Sequence, residues 1–500
     1  MAAAVKEIRV QPHGAQGSNG QDEIFQMSNM DLLMPKLYVH MIEVFELPPD
    51  ADKDTIIKNL TEGLARTLDD HPILAGTLHF DNETRRIVVK KTPDSSVGLY
   101  VKTADVDDIP SFSFLDEKDF PVHLLDASKV LPQSFVAQFA IPGQDTATAG
   151  APVLAFQVNF IQGGLVLALA VTHQICDGNG CEALLDTLAR HSAAATKGTT
   201  YVSSTPLQGR EVLTSRGKLA PEELERLGKK FPTFKAPDTP AAPPATDAKP
   251  PVVKTRIWHI PLRKLQQLKS EASARPADDG QHHGHDGSWI SSYDAILALL
   301  WRAVLRAKLP LIKPESTAPS KAVHAVNGRG RTKTPLSGRY IGSAVTLPQS
   351  EKLTVADVLA DGALPKLARN VRACTNSITP EYLADLVRWS GACNDLRWTE
   401  LDMAWVLGLD CMAFDWHTMK SYHTHDYGFG TPRALRWPNP QFEGFFFVLP
   451  SRKGVRVGRG AEVDADEGIE ICLGLEESCY PRFETDEELL RYAEPRGVGV

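Results

Sequence analysis

The chain has 500 residues, with 54 Lys and Arg against 62 Asp and Glu, a formal charge of −8 and 42% apolar residues. This is an ordinary globular balance with room for roughly two to four domains, and a net negative chain without Lys/Arg runs lacks the means to neutralise nucleic-acid phosphates. The apolar run LVLALAV at 165–171 falls far short of the roughly 20 residues that span a bilayer.

In chain order, KLYVHMIEVFEL (36–47) has the short, β-rich apolar character of a strand. Asp54–Asp70 carries Ile57, Leu60, Leu64 and Leu68 at helical spacing. HPILAGTLHF (71–80) reads as a turn into a strand, and VLAFQVNFIQGGLVLALAVTH (153–173) as two strands about Gly163-Gly164. The second of these is continuously apolar, as a strand buried on both faces would be. Helical spacing resumes over Cys181–Ala195. Segment 232–251, PTFKAPDTPAAPPATDAKPP, has seven prolines and one large apolar residue, Phe234, and reads as an extended linker without helix or ladder. Beyond it, 254–262, 442–450 and 468–475 read as strands and Ile290–Leu309 as a helix. The expected organisation is residues 1–225 as a first domain, 226–253 as a proline-rich crossover and 254–500 as a second domain, with the segment near 410–430 packed on the first.

The seven cysteines form no C-x-x-C pair and read as free thiols of a reducing compartment. The first residues carry charge and glycine where a signal peptide needs an apolar stretch, so a cytoplasmic location is expected.

The most informative stretch is Val171-Thr172-His173-Gln174-Ile175-Cys176-Asp177-Gly178. It puts a histidine at the end of a buried strand, and histidine near its ordinary pKa of about 6.5 can take and return a proton at neutral pH. Asp177 either orients the imidazole or anchors the turn, and spacing does not separate these roles. A core histidine satisfied by a carbonyl is the plainer explanation of an isolated H-x-x-x-D. Gly178-Asn179-Gly180-Cys181-Glu182-Ala183 imitates a dinucleotide fingerprint. The acidic partner expected downstream is missing, since Ser192 to Arg210 contains no Asp or Glu. Cys176 beside His173 raises the possibility of an acyl-cysteine intermediate. His282, His283 and His285 sit in a polar Gly/Asp loop, and His417, His423 and His425 precede Asp426 without an i, i+4 pair on a firm helix; no metal site is expected from either group. Asp426-Tyr427-Gly428-Phe429-Gly430 alternates glycine with aromatics, which implies a tight backbone at a turn or sheet edge. No G-x-S-x-G, Walker A or H-E-x-x-H pattern is present.

HQICDG in mid-chain followed by DYGFG about 250 residues later resembles the BAHD acyltransferases, coenzyme-A-dependent enzymes marked by H-x-x-x-D-G and D-F-G-W-G. Ser28-Asn29-Met30-Asp31, Ser291-Ser292-Tyr293-Asp294-Ala295 leading to Trp301-Arg302, Asn327-Gly328-Arg329 and Arg339-Tyr340-Ile341-Gly342-Ser343 are similar to further motifs of that family, in the same order. The run 157–173 is similar to its fungal trichothecene 3-O-acetyltransferase-like branch.

This resemblance implies an α/β monomer of two chloramphenicol-acetyltransferase-like domains with mixed sheets and a channel at their interface. It implies His173 as the general base for direct transfer from acyl-CoA, acetyl-CoA first, to a hydroxyl of a secondary metabolite. Asp177 would point away from the base and pair with Arg329, and Gly178, Asp426, Gly428 and Gly430 would be structural. Trp416 and Thr172 would border the acceptor pocket, although Trp416 stands one residue further from Asp426 than the family pattern has it. Ser291, Ser292 and Arg339 would contact coenzyme A, with no bound cofactor, metal, membrane or nucleic acid. N-acylation, a condensation-type domain fed by a carrier protein and a non-catalytic scaffold are the alternatives. Thr172 stands where condensation domains carry a second histidine.

Overall fold

The structure is a computed structural model that describes residues 4–14, 21–136, 149–203, 209–237, 251–274, 289–404, 406–439, 442–457, 461–462 and 466–497. His282, His283 and His285 lie outside the described residues, as do residues 238–250 of the proline-rich segment.

The elements that position the site are, in the first half, β1 (Val5–Val10), β2 (Tyr38–Glu46), α1 (Lys53–Asp70), β3 (Val97–Thr103), β4 (Leu154–Ile161), β5 (Gly164–Thr172) and α2 (Gly178–Thr196). The second half supplies β6 (Val253–Ile260), α3 (Ser292–Ile312), β7 (Ala322–His324), α4 (Leu364–Asn376), β8 (Cys411–Asp415), β9 (Ala434–Arg436), β10 (Phe445–Val448), β11 (Ile469–Glu476) and β12 (Glu494–Arg496). They build two six-stranded sheets, ordered β1-β3-β4-β5-β2-β9 and β7-β8-β10-β11-β6-β12. Both are mixed: β3 and β4 run parallel in the first, and β7, β8 and β10 run parallel in the second.

β5 is the centre of the first sheet, paired to β4 and β2 along its length, and every residue of it is buried. The double burial read from its unbroken apolar run follows from α1 and α2 covering one face and the segment 109–135, with its short helices, covering the other. On the helical face α1 and α2 pack together, and a Cβ at Gly63 would lie 2.8 Å from the Ser192 backbone nitrogen, so the crossing requires glycine. Asp52 caps α1 and Asp177 caps α2 through their carboxylates.

The two halves are interlocked. β9, from the second half, adds to the first sheet with Ala434 opposite Val44 and Arg436 opposite Ile42. Arg436 then reaches back to Glu470 on β11 at 2.7 and 3.1 Å, so one buried side chain ties both sheets. Two sequence expectations need correction. Phe234–Lys235 does form a ladder, pairing with Glu400–Leu401, because the lone apolar Phe234 is an anchor buried in the core. The helix expected to stop at Leu309 continues through Pro310 to Ile312, its last turn closed by the Lys313 amide on the Leu309 carbonyl. Among the described residues, no helix is long and apolar enough to cross a membrane.

Candidate active site

The strand β5 carries His173 out of the sheet. Its amide donates to the Leu37 carbonyl at 2.8 Å, and its own carbonyl accepts from Ser343 Oγ at 2.9 Å. The Ile175 and Cys176 amides fold back on the Thr172 carbonyl at 2.9 and 3.3 Å, which turns the chain immediately after His173. Thr172 itself is buried, its amide held by the Val153 carbonyl at 3.0 Å. Burial pushes the His173 imidazole below its ordinary pKa; the adjoining backbone and the carboxylates of Asp177 and Asp31 offset this only in part. The ring is therefore neutral at pH 7.

Asp177 does not bond to His173. One oxygen accepts from Arg329 Nη2 and from the Gly180 amide, the other from Arg329 Nη1 and the Ala344 amide, all at 2.8 Å. Burial alone would raise this carboxyl, but Arg329 and the two amides outweigh it and hold it below the usual carboxylate range. Arg329 also donates to the Tyr340 and Gly342 carbonyls at 2.9 and 2.8 Å. The pair spans both halves, 152 residues apart in sequence.

Two further devices brace the turn. Buried Asp31 takes Arg210 Nε and the Ser343 amide, each at 2.8 Å, while Arg210 Nη2 donates to the Ile175 carbonyl at 3.0 Å. At Gly178 a Cβ would lie 2.5 Å from Trp416 Nε1, so glycine admits an indole from the second half against the turn after His173. Trp416 thus lies beside the turn in spite of its shifted spacing.

The DYGFG segment holds the other end of the same helix. Gly428 and Gly430 adopt φ of +91° and +117°, and the Asp426 carboxylate accepts from both their amides at 2.8 and 3.3 Å. A Cβ at Gly428 would press on Thr196 and Ala193 of α2. Tyr427 is fully buried and donates to Glu43 Oε2 at 2.9 Å; the other Glu43 oxygen meets His425 Nδ1 at 2.5 Å. His425 is thus a packing residue of the seam. Phe429 stands edge-on to Phe45 at 5.2 Å.

Two of the three residues expected at coenzyme A, Ser291 and Arg339, have partners within the protein. The Ser291 hydroxyl closes a capping box with Asp294 at the start of α3, where Ser292 is the first helical residue. Arg339 bonds to Asp186, and to Thr187 at 2.8 Å, on α2. Cys176 is fully buried, with its sulfur toward the Ile341 carbonyl. Among the described residues no group of three or more His, Cys, Asp or Glu is placed to hold a metal ion. Sequence reasoning missed Arg210 and Glu43. A carboxylate inside the apolar run MIEVFE was a usable signal for Glu43, whereas nothing around Arg210 distinguishes it.

The sequence model of the Transferase family matches residues 13–490. A relative from Gibberella zeae, Acetyltransferase FGR3, is 26% identical over 96% of this chain and 92% of its own length. Trichothecene 3-O-acetyltransferase TRI101 of Fusarium sporotrichioides is 24% identical over 91% of this chain and 93% of its own. The crystal structure of F. sporotrichioides TRI101 with coenzyme A and T-2 superposes with a TM-score of 0.73 at 20% identity, covering 95% of this chain and 99% of that one. The fold expected from the motifs is therefore the fold found.

Proposed function

The chain belongs to the Transferase family, the BAHD acyltransferases, and from that premise we propose that it moves an acyl group, acetyl first, from a coenzyme A thioester to a hydroxyl of a small secondary metabolite. His173 takes the proton from that hydroxyl as its oxygen attacks the thioester carbonyl. The tetrahedral intermediate then expels the coenzyme A thiolate, which recovers the proton from the imidazolium. A thioester is already activated, so one base, exclusion of water and positioning suffice. The observation that carries the reading is a neutral imidazole at a strand end, free of its neighbouring carboxylate. A neutral base is what proton removal needs, and a general base is worth roughly 10²–10⁴ in rate.

In this reading Asp177, Gly178, Arg329, Asp426, Gly428 and Gly430 hold the base and the helix behind it. Trp416 and Thr172 border the acceptor pocket. Ser291, Ser292 and Arg339 contact coenzyme A, with Ser291 and Arg339 held in place by Asp294 and Asp186. Fully buried Cys176 favours direct transfer over an acyl-cysteine. The enzyme would work as a monomer in the cytoplasm, with acyl-CoA as co-substrate and no resident cofactor or metal. The test is to incubate the protein with acetyl-CoA and a panel of alcohols and to follow free thiol. His173→Ala should release coenzyme A at least about 100-fold more slowly. Equal release by both proteins removes the base assignment, and absence of coenzyme A binding in a thermal-shift assay removes the donor.

A further inference from the structure

Both Asp177 oxygens are taken up by Arg329 and backbone amides, so Asp177 reaches the His173 imidazole only through space. A second carboxylate stands beside the same turn. Asp31 lies in the short helix Asn29–Leu33 and is fully buried. One of its oxygens accepts from the Ser343 amide at 2.8 Å, the other from the Ser28 amide at 2.9 Å and from Arg210 Nε at 2.8 Å. Two routes join it to His173. Ser343, whose amide is on Asp31, puts its hydroxyl on the His173 carbonyl at 2.9 Å. Arg210 puts Nη2 on the carbonyls of Ile175 at 3.0 Å and Ile341 at 3.3 Å.

The charged and titratable groups around this turn are two ion pairs and two neutral side chains. Asp177 with Arg329 and Asp31 with Arg210 are the pairs. The Cys176 thiol faces the Ile341 carbonyl, and burial raises the Tyr340 phenol so that it stays protonated. Against the burial that lowers the His173 pKa, the Asp177 and Asp31 carboxylates both act to raise it. The Asp31 charge depends on its donors: burial lifts its carboxyl above the ordinary range, and Arg210, Ser343 and Ser28 act to lower it. A buried ion pair adds little stability over an apolar replacement, so bracing alone does not account for Asp31 and Arg210 here. A fixed carboxylate beside a forming cation, by contrast, acts strongly in a dry surrounding and has no reorganisation to undergo.

We propose that Asp31 is a positioning residue of the transfer: held by Arg210 and Ser343, its carboxylate stabilises the imidazolium that forms on His173 as the acceptor hydroxyl gives up its proton. The inference rests on the acyl-transfer reading of the same site and adds a residue to it. The proton passes from the hydroxyl to His173 and on to the coenzyme A thiolate. Asp31 neither takes nor returns it, and acts by charge alone. Arg210 keeps that charge in place without meeting the ring, since its guanidinium is engaged by Asp31 and two carbonyls.

The experiment titrates the free protein, labelled with ¹³Cε1-histidine, by NMR; the His173 signal is the one that His173→Ala removes. Asp31→Asn should lower the His173 pKa, because the imidazolium loses a neighbouring negative charge and the neutral ring does not. Asp31→Asn with Arg210→Met strands no guanidinium, and should keep the lowered pKa while recovering melting temperature. Ser343→Ala deletes the bond to the His173 carbonyl without changing any charge, and should leave the pKa at its wild-type value. Thiol release from acetyl-CoA, with the alcohol panel as acceptors, should follow the same order. In Asp31→Asn its acid limb should move to lower pH and kcat should fall about tenfold, with KM for acetyl-CoA unchanged. A wild-type His173 pKa in both Asp31 variants, or an equal fall in Ser343→Ala, would reduce Asp31 to a brace and overturn the proposal. A lowered pKa in both Asp31 variants without thiol release by wild type would instead remove acyl transfer and leave the action of Asp31 on the imidazole standing.

Discussion

The two ends of α2 are held by opposite kinds of force. At its N-terminus Asp177 is clamped by the buried Arg329 guanidinium, and Asp31 with Arg210 braces the turn that carries His173. At its C-terminal end the DYGFG segment makes its closest approach through Gly428, which packs on Thr196 and Ala193 without any ion pair to the helix. The charged clamp fixes the turn that follows His173, whereas the packed end fixes the helix axis behind it. The sharpest break should come at the clamp. Asp177→Ala leaves a buried guanidinium without its carboxylate, a change that costs about 3–5 kcal/mol, measurable as a shifted urea midpoint. Asp177→Asn with Arg329→Met removes both charges and should recover part of the loss. A wild-type midpoint for Asp177→Ala would show that the clamp carries little of the stability.

The packed end should break sterically and by less. At Gly428 a Cβ combines left-handed backbone, worth about 1–2 kcal/mol, with a 2.3 Å approach to Thr196 Oγ1. At Gly430 nothing stands within 4 Å, so Gly430→Ala incurs the backbone strain alone. Gly428→Ala should therefore destabilise by about 3 kcal/mol, more than Gly430→Ala. Thr196→Ala in the same chain should return the steric part, and equal losses at the two glycines would contradict the contact.

pH should separate the two ends with opposite signs. Burial acts to lower the His425 pKa, but Glu43 at Nδ1, with Asp186 and Glu182 nearby, carries it above 6.5. A raised histidine contributes stability that is complete below pH 6.5 and is lost as pH rises through the folded value. Asp177 is depressed, so its contribution holds above pH 3.8 and goes only as pH falls through its lower folded value. Hydrogen exchange, corrected for its intrinsic rate, should show 425–430 loosening between pH 6 and 9 while 174–180 stays protected. Parallel loosening of both segments would mean the DYGFG end does not depend on the His425 charge.

The same contrast explains what was legible in the sequence. The turn after His173 stood out because a doubly buried strand leaves an unbroken apolar run that ends in a histidine. The reading of that histidine as a base came from family resemblance, since an isolated H-x-x-x-D is more plainly a core histidine. The Asp177–Arg329 pair came from family resemblance, since no periodicity connects residues 152 positions apart. β9 is three residues long, too short to show alternation, and its place in the first sheet depends on Arg436 and Glu470 meeting across the seam. Phe234 looked like a stray apolar residue in a proline-rich stretch, because burial by a distant partner strand leaves no local pattern. Arg210 is an isolated cation in sequence and a brace only once Asp31 and Ile175 are folded beside it.

The smallest expected effect tests whether the packed end also depends on a polar bond. Tyr427 stands where the family motif has phenylalanine, and its hydroxyl donates to Glu43 Oε2 at 2.9 Å. Tyr427→Phe keeps the ring that stacks on Phe429 at 5.7 Å and meets Phe45 at 5.4 Å. What goes is one donor to a buried carboxylate, and Glu43 retains the stronger partner in His425. The net loss should therefore be about 1 kcal/mol, with little change in turnover. Because Glu43 then leans on His425 alone, the variant should also lose stability more steeply above pH 6.5 than wild type does. A loss of about 3 kcal/mol or more, the size reserved for broken buried charge pairs, would mean that the two ends of α2 are held by the same force after all.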